Sequence, residues 1–167
     1  PSLNPFYTDK DLIELPGLVG IWIDQDDCKW EFVKNGDMSY TLTYTKDTNV
    51  DEDFDVNLIR LSNQVFMDLY PKEGGSAFRS KEGLSMVHYF PSHTISKIQL
   101  TGNALNIDML NPEWMKKMKE EQRIFIKYED VEDGVLLTAK AKDLQRFIQA
   151  YAYDSEGNSG IMDYETK

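Results

Sequence analysis

Short apolar–polar alternations, arriving in neighbouring pairs joined by turn residues, constrain this chain more than any other feature. In "KWEFVK" (29–34) Trp30 and Phe32 face one way, Glu31 and Val33 the other. In "SYTLTYT" (39–45) Tyr40, Leu42 and Tyr44 oppose Thr41, Thr43 and Thr45. A period of two is the mark of a strand with one buried face. Between the two runs stands Asn35-Gly36, which tolerates the positive φ of a tight hairpin turn. The rhythm recurs. "FDVNLIRL" meets "VFMDLY" across Ser62-Asn63-Gln64, and "TISKIQL" meets "ALNIDML" across Thr101-Gly102-Asn103, with Leu105, Ile107 and Met109 on one face. "RIFIKY" meets "GVLLTA" through an acidic turn ending in Asp133-Gly134. Adjacent hairpins of this kind predict an antiparallel up-and-down meander, which must pack against a second layer or curl into a barrel to remove its edges.

Two helical patterns interrupt the strands. "NPEWMKKMKEEQ" offers Asn111 as N-cap, Pro112 at the first helical position and Glu113 behind it, predicting a helix over 112–121. In "KAKDLQRFIQAYAYD", Leu144, Phe147, Ile148 and Tyr151 fall at i, i+3, i+4 and i+7, predicting a helix over 140–153 laid on a sheet. "LIELPG" reads as a short helical turn that Pro16 and Gly17 stop. Residues 1–11 read as a flexible lead-in, 12–153 as one domain and 154–167 as a polar tail. The expected fold is mainly β: a meander closing into a barrel of about 8–10 strands with two packed helices. The alternative is an open, strongly bent sheet with a helix over its concave side.

A formal net charge of -11 repels phosphate backbones and anionic membrane surfaces, so neither nucleic acid nor such a membrane is an expected partner. The lone cysteine, Cys28, has no partner for an internal disulfide or a paired-cysteine zinc site, and reads as a spectator thiol. No apolar run is long enough to span a bilayer as a helix. The chain begins with Pro rather than Met, which fits a removed leader or a trimmed N-terminus.

"LPGLVGIWID" (15–24) places Gly20 and Trp22 at the start of the first strand. A Gly-x-Trp there resembles the lipocalin and fatty-acid-binding-protein (calycin) superfamily. The resemblance implies a lipocalin-like barrel, with the Trp plugging one end, the Gly letting it fit, and a helix packed outside, for which 140–153 is available. The Arg that packs on that Trp in the family has no clear counterpart; Arg146 lies on the predicted helix. The helix at 112–121 also interrupts the meander where a lipocalin continues. "LVGIW", "GDMSYTLTYT", "VFMDLYP", "FPSHTISKIQL" and "VLLTAKAKDLQRFI" look like an uncharacterised group of bacterial cell-envelope proteins, often predicted lipoproteins. That likeness implies an extracytoplasmic home in the cell envelope or periplasm, with a lipid anchor on a removed N-terminus; the group has no assigned activity to carry over.

No catalytic signature is present. Asp47, Asn49 and Asp51 match the opening of a calcium loop, but Glu52 stands where Gly is needed and Leu58 where the closing Glu belongs. The acidic run "KDTNVDEDFD" therefore reads as a solvated turn. His88 and His93 flank a bend at Phe90-Pro91 with no acidic residue beside them, so two ligands are at hand where a metal needs three or four. They read as strand-end histidines bonded to backbone, or else as the base of an enzyme that nothing else in the chain announces. "KEGGSAFRSKEG" lacks the phosphate-loop pattern and reads as a long loop between strands.

Eight Phe, nine Tyr and three Trp are a rich supply of rings for a small β protein. Trp22, Trp30, Phe32, Tyr40 and Tyr44 alternate on the first strands and, with His88 and His93, are the expected ligand-contacting residues. Small barrels are either filled by side chains or hold one small ligand. The expected function is non-enzymatic binding of a small apolar or amphipathic ligand in a barrel cavity, with no cofactor or metal. The alternative is a structural or interaction module of the cell envelope with a filled barrel and an exposed apolar patch.

Overall fold

The computed structural model describes residues 1–46, 51–72, 90–131 and 134–151, with the backbone of 164–165. The chain is mainly β, and the fold is built on a seven-strand antiparallel meander. Its strands are β1 (Gly20–Ile23), β2 (Lys29–Lys34), β3 (Ser39–Thr45), β4 (Asp51–Leu61), β5 (Gln64–Pro71), β6 (Thr94–Thr101) and β7 (Ala104–Met109), each paired with the next. Helix α1 (Pro112–Glu120), the hairpin β8 (Tyr128–Val131) and β9 (Gly134–Leu137), and helix α2 (Ala141–Tyr151) follow. A two-residue strand β10 (Tyr164–Glu165) lies on the outer edge of β7.

The meander curls into a nearly closed barrel, and the pleat sorts its residues between two cores. Register places Phe32 opposite Leu42 and Tyr40 opposite Val56, and these four point inward with Leu58, Met67, Leu69 and Ile98. Residues 12–18 cross one end of this interior. Ile13 donates its N–H to Leu58 O at 2.9 Å, Leu15 N–H bonds the Tyr40 hydroxyl at 2.8 Å, and Leu18 is fully buried. The interior is thus filled with side chains and corked.

The second core lies on the outer face. Ile59 and Leu61 of β4, Phe66 of β5 and Ile95 of β6 pack against Phe6, Met115, Leu137, Leu144, Phe147 and Ile148. Helices and hairpin cover strands β4 to β6 because those strands are apolar on both faces, as doubly buried strands are. Helix α1 starts as expected: Asn111 Oδ1 accepts from the N–H groups of Glu113 and Trp114. On α2, Leu144, Phe147 and Ile148 are buried, and Trp114, Phe147 and Tyr151 form a ring cluster between the helices.

Several sequence readings need correcting. Pro16 does not stop a turn but opens one, at the first position of a 3-10 turn over Pro16–Leu18, where its missing N–H is not needed. The acidic run does not end before the sheet: β4 begins at Asp51. Asp51 and Asp53 sit on its outer face, accepting from Thr45 Oγ1 at 2.6 Å and Thr43 Oγ1 at 2.8 Å across the strands. Asp47 and Asn49 lie outside the described residues, as do "KEGGSAFRSKEG" and His88. "RIFIKY" is strand only from Tyr128, and its hairpin is a separate two-stranded sheet, because α1 has already carried the chain off the barrel. Residues 1–11 are tied down: Ser2 exchanges backbone hydrogen bonds with His93 at 2.8 Å, and Phe6 is buried. The first and last meander strands do not pair; the barrel has a seam.

Candidate functional site

The seam lies between β1 and β7. On the β1 side the chain leaves the 3-10 turn at Val19 and enters the strand through Gly20, whose φ of +139° only glycine adopts at ease. That entry directs Trp22 inward, where its indole N–H donates to Leu18 O at 2.9 Å and ties the strand to the cork. Trp30 lies opposite Trp22 on β2 and meets Tyr44 edge-on, with ring centroids 5.0 Å apart.

Asp24 closes the β1–β2 turn. Its Oδ1 accepts from the backbone N–H groups of Asp26 and Cys28, both at 2.9 Å, and its Oδ2 from the Trp30 indole at 3.0 Å. Partial burial opposes ionisation of Asp24, but these donors outweigh it and hold the carboxyl below the usual range. The Tyr44 phenol is pushed up, first by its contact with Cys28 and then by burial, so it stays protonated.

Facing these residues across the seam is β7. Between them runs an open groove of about 640 Å³, walled by Trp22, Asp24 and Trp30 on one side and by Leu105, Ile107 and Asp108 on the other. Two indoles and the aliphatic side chains of Leu105 and Ile107 stand in this wall among polar groups, which include Gln25, Gln99, Asn103 and Asn106 as well as the two carboxylates. Such a mixture suits an amphipathic ligand.

Of the expected ligand residues, Trp22 and Trp30 line this groove. Phe32 and Tyr40 do not: both are in the filled interior, 1% exposed, and the Tyr40 hydroxyl is used by Leu15. Tyr44 stands behind Trp30 as its support. His93 is on the opposite, outer face. Its Nδ1 pairs with the buried carboxylate of Asp68, and its ring lies 4.5 Å from that of Tyr70. A nearby cavity of about 170 Å³ is walled by Pro1, Phe6, Thr94, Ile95, Met115 and Val135, and His93 is not in its wall. Among the described residues, no three His, Cys, Asp or Glu side chains converge as metal ligands.

The β7 half of the groove went unread in the sequence. The alternation of "ALNIDM" announces which residues share a face, but nothing local says that β7 ends up facing β1. No known family matches the chain, and neither does any curated protein or solved structure. No helix among the described residues is long and apolar enough to cross a membrane.

Proposed function

We propose that this is a non-enzymatic binding protein whose ligand lies in the open seam rather than inside the barrel. The observation that carries this reading is the groove of about 640 Å³ between the Trp22–Trp30 pair and β7, beside an interior packed with buried side chains. The ligand class is a small apolar or amphipathic molecule, its apolar part on the indoles and its polar part toward Asp24 and Asp108. The likeness of "LVGIW" and "FPSHTISKIQL" to cell-envelope proteins supports an extracytoplasmic site of action, which fractionation of the native host tests.

Trp114 packs against Phe147 and Tyr151, outside the groove, so a Trp114→Phe protein reports fluorescence from the groove indoles alone. Titration of that protein with octan-1-ol should shift and saturate the emission. Native mass spectrometry of protein from its own host should show a bound small molecule. An unchanged spectrum together with a clean apo mass would end the proposal.

A second reading, an interaction module with no small ligand, draws on one specific observation. Ile21 and Ile23 stand on the outer face of the edge strand β1, each 60% exposed, with Val33 beside them on β2. Apolar side chains flanking a sheet edge are what a docking partner covers.

A further inference from the structure

The seam has a strand polarity. Each of the six pairings from β1 to β7 is antiparallel, so β1 and β7 run in the same direction. An up-and-down barrel that is antiparallel throughout needs an even number of strands. Seven leave two parallel strands facing one another. One further strand laid antiparallel to β7 is antiparallel to β1 as well, and completes the ring with hydrogen bonds on both sides.

The groove has the shape for it. Its β7 wall is the unbroken run Ala104 to Met109, residues from both faces of the pleat, and its β1 wall is the run Trp22 to Gln25. A cleft lined by consecutive residues follows the backbone edge of a strand instead of lying on one face. The chain itself shows the orientation that β7 accepts: β10 pairs antiparallel, Tyr164 opposite Met109 and Glu165 opposite Asp108. Among the described residues, the edge from Ala104 to Ile107 has no strand on that side, and β1 pairs only with β2.

Charge and pattern narrow the occupant. Among the described residues, Asp24 and Asp108 are the charged groups in the wall, and no Lys or Arg lines it. Lys97 already meets Asp108 at 2.7 Å, whereas among the described residues the hydrogen bonds that Asp24 accepts come from uncharged donors. With a net charge of -11 behind it, the seam attracts cations, and an indole face adds to that attraction. Inward-facing side chains of an added strand meet Trp22, Leu105 and Ile107, which are apolar.

We propose that the seam is an eighth-strand position that takes an extended, basic, alternately apolar segment of another polypeptide by strand addition. This rests on the reading of the seam as the binding site. The test uses a synthetic peptide of about eight residues alternating lysine with valine, a twin with glutamate for lysine, and a twin with a central proline. Binding to the full chain is followed by Trp114→Phe fluorescence and by amide hydrogen exchange. The lysine peptide should slow exchange over residues 20–23 and 104–107, and bind at least about tenfold tighter than either twin. Equal binding of all three peptides overturns the proposal. So does full protection of 104–107 before peptide is added, because the seam is then closed by the chain's own C-terminal residues or by β1 itself. Saturable octan-1-ol binding without peptide binding overturns strand addition and leaves the small-ligand reading standing; failure of every probe removes both.

Discussion

His93 Nδ1 lies 2.7 Å from Asp68 Oδ1, and the other oxygen of that carboxylate accepts the Phe6 N–H at 2.7 Å. Asp68 is 1% exposed, so one buried carboxylate holds β5, the entry to β6 and the N-terminal segment together. Backbone bonds between Ser2 and His93 run alongside. The pair is a clamp on the outer face that ties His93 to β5 and, through Asp68, to the N-terminal segment.

Replacing Asp68 should be costly. Asp68→Leu strands the Phe6 N–H and the imidazole, for an expected loss of about 3–5 kcal/mol. Asp68→Asn keeps an acceptor for Phe6 and should lose about 1–3 kcal/mol. Urea unfolding measures both. Burial comes first at Asp68 and raises its pKa, against the opposing His93 bond and charge and the Phe6 N–H. A raised native value means that the carboxyl's proton-linked stabilisation is full below its ordinary value of 3.8 and is lost as pH rises through the native value. The advantage of wild type over Asp68→Asn should therefore narrow as pH is raised across that window. A gap that widens would contradict the assignment.

Asp11 should behave with the opposite sign. Its carboxylate accepts from Thr8 N–H at 2.8 Å, Thr8 Oγ1 at 2.7 Å, Gln145 Nε2 at 3.0 Å and Lys142 Nζ at 2.7 Å, tying the N-terminal segment to α2. Partial desolvation opposes ionisation, and the bonds from Lys142, Thr8 and Gln145 overcome it, holding the carboxyl well below the usual range. Stabilisation from Asp11 is full above 3.8 and is lost as pH falls through the native value. Asp11→Ala should cost about 1–3 kcal/mol at neutral pH and progressively less in acid, read from urea midpoints at a series of pH values.

The two faces of the first hairpin should respond differently to truncation. Phe32→Ala empties a site in the filled interior, at an expected cost of about 3–5 kcal/mol. Ile21→Ser alters a side chain in solvent and should move stability by no more than about 0.5 kcal/mol. Thermal or urea melts of the two variants decide. A mild Phe32→Ala would mean that the interior is loosely packed.

Asn111→Ala removes the acceptor for two N–H groups at the start of α1, with bonds of 3.0 and 3.1 Å. The expected loss is about 1 kcal/mol, and Asn111→Asp or Asn111→Ser should restore most of it. Failure of both to rescue would remove the capping explanation.

Much of this architecture is written locally. Period-two alternation in "SYTLTYT" puts Tyr40 and Leu42 on one face and the threonines on the other, because successive Cβ atoms point to opposite faces of a strand. Asn111-Pro112 starts α1, because a helix N-terminus needs an acceptor and tolerates a missing N–H. Leu144, Phe147 and Ile148 fix the buried face of α2 by spacing alone. Gly20 and Trp22 mark where the sheet begins and which ring turns toward the cork.

What the sequence leaves undecided is everything that depends on which distant segments meet. Asp68 becomes a buried partner of His93 and Phe6 only because β5 passes beneath the N-terminal segment; in the sequence it is one acid among many. Tyr40 and Phe32 belong to a filled core rather than a pocket wall, since whether a barrel is hollow depends on the sum of side chains from every strand. The groove exists because an odd-stranded meander brings β1 and β7 face to face in parallel. Alternation fixes the face each residue takes along its own strand, whereas closure is a property of the whole ring, set by strand number, twist and the chain crossing its end.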